Sequence, residues 1–288
     1  MHLPLPYGDM EWEEPKRSVE DLTYERTEPF QDVYDQQGRL KIYKKFVYEV
    51  DLEYPVEIHE KTKYFPLAPH KVKVNHDMLS PYQQSLKPSN TFTEKLMLTH
   101  LDKNKYIVLG DALDFYLDQG MILKKIYRKL VIKTKCWLRS YVDFNIQQRT
   151  KAKQNKDDIG IELFKLLNNS FYGKTIGNPR KRQNVKIVNN AKDHQLLTSK
   201  ITFKYSKIFT EDVIAIRMLQ SSIMCDKFNF IGFTILEYAK LVMYNFVYNG
   251  LDLYLHGKYK IHYCDTDSTF IEFILDKNET LNDIMEKI

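Results

Sequence analysis

Nine of the ten prolines lie at or before Pro88, and the last is Pro179. Proline fixes φ and removes a backbone donor, so a proline-dense stretch favours short strands and extended loops, while a proline-free one can hold long regular elements. The first third is therefore expected to be irregular, with a soft boundary near residue 92. Within it, Leu40 to Tyr48 alternates well enough for a strand, and Pro66, Pro69 and Pro81 interrupt the chain after that strand. Beyond it, the run KYIVLG from Lys105 reads as a strand and Asp111 to Asp118 as a short helix closed by Gly120. Met121 to Ile132 reads as a strand or a helix.

The proline-poor part carries the clearest helical signals. Asn145 is placed to cap a helix running to about Asn155, and Asp157 or Asp158 to cap a second that reaches Tyr172 before Gly173 ends it, giving a helical hairpin. Gly232 to Tyr248 repeats apolar residues at three and four positions, as an amphipathic helix does. Tyr259 to Cys264 and Ser268 to Leu275 read as two strands joined at Asp265, Thr266 and Asp267.

A 43% apolar content over 288 residues supplies a core for one large domain or two ordinary ones. The net charge of +5 suits a polyanionic partner without requiring one. Cys136, Cys225 and Cys264 are too few and too scattered for a disulfide framework or a cysteine-based zinc site. Met1 to Trp12 resembles neither a secretory signal nor a transit peptide, and no segment reads as membrane-spanning. By elimination, the nucleus or cytoplasm is expected, with no membrane partner.

Two constellations carry chemistry. Lys165, Asn169 and Tyr172, at i, i+4 and i+7, share one face of the second hairpin helix, while Ile159, Leu163 and Leu166 share another, expected to pack. A lysine, an amide and a phenol in one stripe offer a charge for a polyphosphate, a hydrogen-bonding group and a planar surface. An amphipathic helix with a merely polar outer face has the same spacing. Arg149, Lys153 and Lys156 lie on one stripe of the first helix, and Lys174, Arg180, Lys181, Arg182 and Lys186 follow Gly173, so positive charge concentrates here. In the second constellation, Asp265 and Asp267 are two apart and can project to the same side of a strand tip, where paired carboxylates favour cations. Ile261, Tyr263, Phe270 and Ile274 are expected to anchor that turn on a buried sheet. A polar hairpin turn remains open as the alternative. An EF-hand loop does not fit, because its sixth position would be Phe270 where glycine is needed.

The stretch KLLNNSFYG, Lys165 to Gly173, and the stretch YCDTDS, Tyr263 to Ser268, resemble the K-x3-N-S-x-Y-G and Y-x-D-T-D-S motifs of family B DNA polymerases. PLPYGDMEW, EVDLEYP, YFPLAP and MLSPYQ are similar to the protein-primed branch encoded by Polinton (Maverick) transposons and related viruses, so the resemblance covers nearly the whole chain. It implies an α+β fold: a right-hand polymerase palm of antiparallel sheet with packed helices, a helical-hairpin fingers element and an irregular N-terminal insertion. The implied division is 1–142 for a palm segment with a terminal-protein-region-like insertion, 143–178 for the fingers, 179–215 for a second insertion that encircles the template, and 216–288 for palm with the metal-binding hairpin.

The resemblance also implies roles. Lys165 would contact the triphosphate of the incoming nucleotide, Asn169 and Tyr172 the nascent base pair, and Arg149 and Lys153 further phosphates. Lys174, Arg180, Lys181 and Arg182 would contact DNA. Asp265 and Asp267 would be catalytic, as ligands of two Mg2+ ions, with Mn2+ as a substitute. The implied partners are primer-template DNA, a dNTP and a terminal protein as primer. The family's remaining metal-binding aspartate lies in a D-x-x-x-L-Y motif just upstream of PLPYG, which here begins at Pro4. The chain is thus expected to start after that motif and to lack an exonuclease domain and a thumb. Asp51, in DLEYP, has the wrong spacing to replace it. Two expectations result: a DNA-directed DNA polymerase of a mobile element or virus, or an inactive fragment of one that retains DNA or nucleotide binding.

Overall fold

The computed structural model describes residues 2–13, 22–86, 94–210, 212–255, 257–265, 268–276 and 280–287. The boundary expected near residue 92 and the side chain of Asp267 lie outside these residues. The fold is mixed α+β, with antiparallel sheets and helices, in two compact units: Met1–Phe144 with Thr234–Ile288, and Asn145–Phe233.

The first unit is built on a four-stranded antiparallel sheet. Its strands are β1 (Leu5–Glu13), β2 (Tyr43–Glu53), β5 (Lys103–Leu109) and β6 (Ile122–Lys135), in the order β1-β6-β2-β5. The segment whose sequence suits strand or helix is thus a 14-residue strand, β6. Its alternating and β-branched residues pair along nearly all of β2, from Tyr43 opposite Thr134 to Glu53 opposite Ile122. The first third is accordingly less irregular than its prolines suggest, because β1 and β2 are long strands of this sheet. The irregular stretches are the connections, one of which carries a small ribbon of β3 (His70–Lys73) and β4 (Glu94–Met97) with α1 (Pro81–Leu86) between them. Asp51 is committed to the fold: its carboxylate accepts the Lys105 backbone N–H at 2.7 Å and the Tyr127 hydroxyl at 2.7 Å.

Two lysines lie inside this sheet. Lys45 is fully buried, and its ammonium donates to the Glu28 carbonyl at 2.7 Å and to Asp111 Oδ1 at 2.6 Å. Lys129, also fully buried, is held between Glu25 and Glu13. Each charge is paired and hydrogen-bonded, the condition under which burial is tolerated.

As expected, α2 (Gly110–Asp118) precedes Gly120, whose φ of +109° suits glycine after a helix end. At its start, a Cβ on Gly110 would collide with the Thr27 hydroxyl, so glycine permits the close approach of these two segments. The core combines Phe46, Tyr48, Val50, Leu113 and Tyr116 with Tyr244, Val247, Tyr248 and Leu251. These last residues belong to α6 (Asn229–Tyr244) and to the π-helical turns Asn245–Leu251, which continue into α7 (Asp252–Leu255). Tyr244 donates its hydroxyl to the Pro66 carbonyl at 3.1 Å and Tyr248 to that of Phe65 at 2.6 Å. The helical run Asn229–Leu255 is long and apolar enough to cross a membrane by length and composition, contrary to the sequence expectation. Its buried tyrosines pack into the core just described.

Two strands, β10 (Tyr259–Asp265) and β11 (Ser268–Phe273), form a hairpin, and α8 (Leu281–Lys287) follows. The hairpin's base is anchored by buried Tyr259 and half-buried Ile261, Ile271 and Phe273. Its outer part is not: Tyr263 and Phe270 are exposed, Phe270 by 73%, and Ile274, just past the base, is exposed as well. The register shift between Ile261 and Tyr263 breaks the alternation on which the sequence expectation rested.

The second unit contains α4 (Asp158–Thr175), most of α3 (Arg139–Gln154), and a three-stranded antiparallel sheet, β7-β9-β8. The strands are β7 (Asn184–Val188), β8 (Phe203–Thr210) and β9 (Val213–Met218), with α5 (Ala191–Thr198) packed through Leu197 onto Ile216 and Met218. The hairpin exists, with three corrections. Helix α3 begins at Arg139, so Asn145 is a buried interior residue and not a cap. Helix α4 runs through Gly173 to Thr175, the Ile176 N–H bonding to the Tyr172 carbonyl at 3.3 Å. The stripe Ile159, Leu163 and Leu166 is exposed, Ile159 by 83%, where packing was expected. Helix α4 meets α3 through another side, at Gly160 and Asn168, and this leaves the apolar stripe outward.

Candidate functional site

The geometry of the hairpin starts at its turn. Asp157 caps α4, its Oδ1 accepting the Gly160 N–H at 3.0 Å, while the Asp157 N–H bonds to the Ala152 carbonyl at 2.9 Å. Gly160 is buried at the crossing: a Cβ there would lie 3.0 Å from Ala152 Cβ and closer still to Asp157. Further along, Asn145 donates to Asn168 Oδ1 at 2.8 Å. With the helices locked at both places, the side chains between them converge.

They enclose a pocket of about 230 Å³ lined by Ile146, Arg149, Thr150 and Lys153 from α3 and by Lys165, Asn168 and Asn169 from α4. Three cations and two amides therefore face one concave space whose lining contains no acid. Lys165 Nζ lies 3.4 Å from the Glu162 carboxylate on the outer face, a half-exposed pair that solvent weakens. Arg149 Nε is buried and has no hydrogen-bond partner. A buried guanidinium N–H left unpaired costs about 1–3 kcal/mol, which an anionic oxygen entering the pocket would recover. The chemistry offered is that of a small, highly charged oxyanion such as a polyphosphate.

The structure thus brings together Arg149, Lys153, Lys165 and Asn169 of the residues singled out from sequence. Tyr172 is not part of this lining. It is half-buried farther along α4, and burial raises its pKa. Lys174 and Arg182 line a second pocket, of about 420 Å³, with Ser170, Gly173, Gly177, Asn178 and Lys227. In it Arg182 is paired with Asp226 at 3.2 Å. Arg180 and Lys181 lie in the short 3-10 turn Pro179–Lys181, exposed and outside either pocket. Thr150, Asn168 and Lys227 line these pockets but were missed from sequence. Asn168 sits beside Asn169 and could have been found by asking which amide faces α3. Lys227 is remote in sequence, and no periodicity marks it.

The carboxylate turn belongs to the other unit. Asp265 is exposed at the end of β10, opposite Ser268; burial, and after it the Asp265 charge, pushes the Cys264 thiol pKa up. Among the described residues no group of three or more His, Cys, Asp or Glu side chains is gathered, so they do not form an all-protein cation cage. Mg2+ is commonly held by one or two carboxylates with substrate phosphates and waters completing the shell, and an exposed carboxylate at a strand tip fits that donor set.

Comparison of the chain with protein-family models, curated proteins and solved structures gave no match.

Proposed function

We propose that the chain is a DNA polymerase of the family B type, joining a dNTP to a primer 3'-hydroxyl with release of pyrophosphate. The observation that carries this reading is the pocket holding Arg149, Lys153 and Lys165 around an unpaired, buried Arg149 Nε. Its charge and size suit the triphosphate of a nucleotide. Lys165 supplies a point charge, Arg149 a planar donor fork, and Asn168 and Asn169 neutral hydrogen bonds that fix orientation. Holding the phosphates this way offsets the negative charge that builds on the leaving pyrophosphate.

Asp265 is the described residue that would hold the divalent ion, with Asp267 two positions on. When bound, a Mg2+ or Mn2+ pair would acidify the primer hydroxyl and neutralise the departing phosphates. The segments similar to the protein-primed branch extend the proposal to a terminal protein as primer, acting on a template DNA that Lys174, Arg180, Lys181 and Arg182 would contact. In a second reading, carried by the cationic pocket alone, the chain binds nucleotide or DNA without transfer.

The test is extension of a primed template with dNTPs and Mg2+, alongside titration of dNTP binding. Extension abolished by Asp265→Asn supports the polymerase. Binding that Lys165→Ala weakens, with no extension, supports the second reading. Binding indifferent to Lys165→Ala and Arg149→Ala would sink both.

A further inference from the structure

Within the first unit, residues 60–65, the π-helical turns and the start of β10 enclose a separate cavity of about 400 Å³. Its floor is formed by buried Phe65, Val247, Tyr248 and Tyr259 and by half-buried Asp252. The π-helical turns shape this floor: they close where the Asp252 N–H reaches back to the Val247 carbonyl, which brings both residues to one side of the helix. Each side-chain donor on the floor is already engaged. Tyr248 donates its hydroxyl to the Phe65 carbonyl, and Tyr259 donates its own to Asp252 Oδ1 at 2.5 Å. What the floor has left is acceptors: two phenol oxygens and Asp252 Oδ2, which has no partner among the described residues. Exposed Tyr64 stands at the mouth, its ring centre 6.4 Å from that of Tyr259. Lys61 and Lys63 are also at the mouth, but Lys61 donates to Gln119 Oε1 at 2.8 Å and Lys63 is paired with Glu60. Lys63 Nζ lies over the Tyr64 ring, 5.1 Å from its centre, so this ring already draws a cation.

We infer that this cavity binds an organic cation, a substituted ammonium or guanidinium group, with Asp252 as its counter-ion and Tyr64, Tyr248 and Tyr259 as its aromatic walls. Three features select that ligand. First, the floor presents acceptors and no free side-chain donor. An anion or a carbonyl group would find nothing to bond there, whereas the N–H groups of a cation meet a carboxylate oxygen and phenol oxygens. Second, aromatic rings attract a cation through their electron-rich faces, and more strongly where water is excluded, as it is beside buried Tyr248 and Tyr259. Third, the volume lies in the range of small-molecule sites and exceeds what a bare ammonium fills, so the head must carry a carbon body that covers Val247 and Phe65. A metal ion suits the floor poorly, because Asp252 is its one carboxylate. The lysines at the mouth do not oppose a cation: Glu60 offsets Lys63, and solvent screens exposed Lys61. A free amine or guanidine and the arginine or lysine side chain of a partner protein share this chemistry.

This inference stands apart from the nucleotide pocket and does not need the chain to be catalytic, since its test contains no dNTP, Mg2+ or DNA. Calorimetric titration of the full chain with n-butylguanidine, at matched ionic strength, is expected to give a Kd of about 1 mM, and the neutral near-isostere n-butylurea to bind at least about tenfold more weakly. Asp252→Asn keeps an acceptor for the Tyr259 hydroxyl and should weaken the cation about tenfold while leaving n-butylurea unaffected. Tyr64→Ala, at an exposed position, should weaken it about threefold, and Tyr64→Phe should stay near the parent. A capped glycyl-arginyl-glycine peptide reads the source: binding tighter than n-butylguanidine supports a partner's side chain in the cavity, and weaker binding supports a free small molecule. No binding of n-butylguanidine at about 20 mM would overturn the inference. So would equal binding of n-butylurea, tighter binding of butyrate, or an affinity that Asp252→Asn leaves unchanged.

Discussion

Asn145 donates its side-chain N–H to Asn168 Oδ1 at 2.8 Å, joining α3 to α4 beside the Arg149 pocket. Asn145 is almost fully buried, so Asn145→Ala strands the Asn168 carbonyl oxygen. A loss of about 1–2 kcal/mol is expected, the hydrogen-bond penalty outweighing alanine's better helix propensity. Denaturant unfolding measures it, and a variant as stable as the parent would remove Asn145 from the hairpin's support.

Gly160 gives a prediction opposite in sign to helix propensity. Alanine in a helix interior is usually worth about 1 kcal/mol over glycine. Here the new methyl would press on Ala152 and Asp157, so Gly160→Ala is expected to destabilise by about 1–3 kcal/mol. Asp157→Ala should separately cost about 1 kcal/mol by uncapping α4. Thermal melts of both variants check the pair.

Arg149 should show a conflict between stability and binding. Its Nε has no partner, so Arg149→Met removes an unsatisfied buried donor and is expected to leave the free protein as stable or up to about 1 kcal/mol more so. The same change should weaken triphosphate binding about tenfold or more. Melting with and without dATP reads both effects, and a variant that loses stability yet keeps its ligand shift would contradict the assignment.

The stacked rings of His59 and His100, 4.5 Å between centres and 15° apart, predict a pH dependence. Burial first, then the nearby His59 and Lys103 charges, hold His100 below the usual histidine pKa, and burial followed by Lys103 does the same for His70. The folded form keeps His100 and His70 neutral at a pH where the unfolded chain, titrating near 6.5, already binds protons. The unfolded state then carries more protons, so stability falls as pH drops below about 6.5. Denaturant midpoints between about pH 5 and 8 should show this slope, and His100→Gln should reduce it.

What could be read in advance was whatever periodicity and caps encode. The hairpin was legible because Asp157 is a capping residue before a helical repeat, and β10 and β11 because their residues suit strands. Patterns that count a charged side chain as outward could not place Lys45 and Lys129 inside a sheet, since their partners Asp111 and Glu25 are distant in sequence. Asn145 misled for a related reason: a residue type that favours caps is here an interior hydrogen-bond donor. Spacing on α4 also chose which residues share a stripe but not which stripe faces α3, so Asn168 was overlooked and Ile159 was assigned to the core.

The π-helical turns Asn245–Leu251 bear on how this chain tolerates insertions and deletions. A wide turn holds more residues than an α turn, so deleting one residue there lets the backbone revert to ordinary α geometry with its hydrogen bonds intact. Because the wide turn advances fewer degrees per residue than an α turn, the tightening cancels most of the rotation that the lost residue would cause. Leu251 and Leu255 would keep their side of the helix, and β10 would start from nearly the same heading. A deletion in the α-helical part of α6 would instead turn everything after it by about 100°, so the wide segment is where this helix can change length without redirecting the strand that ends in Asp265.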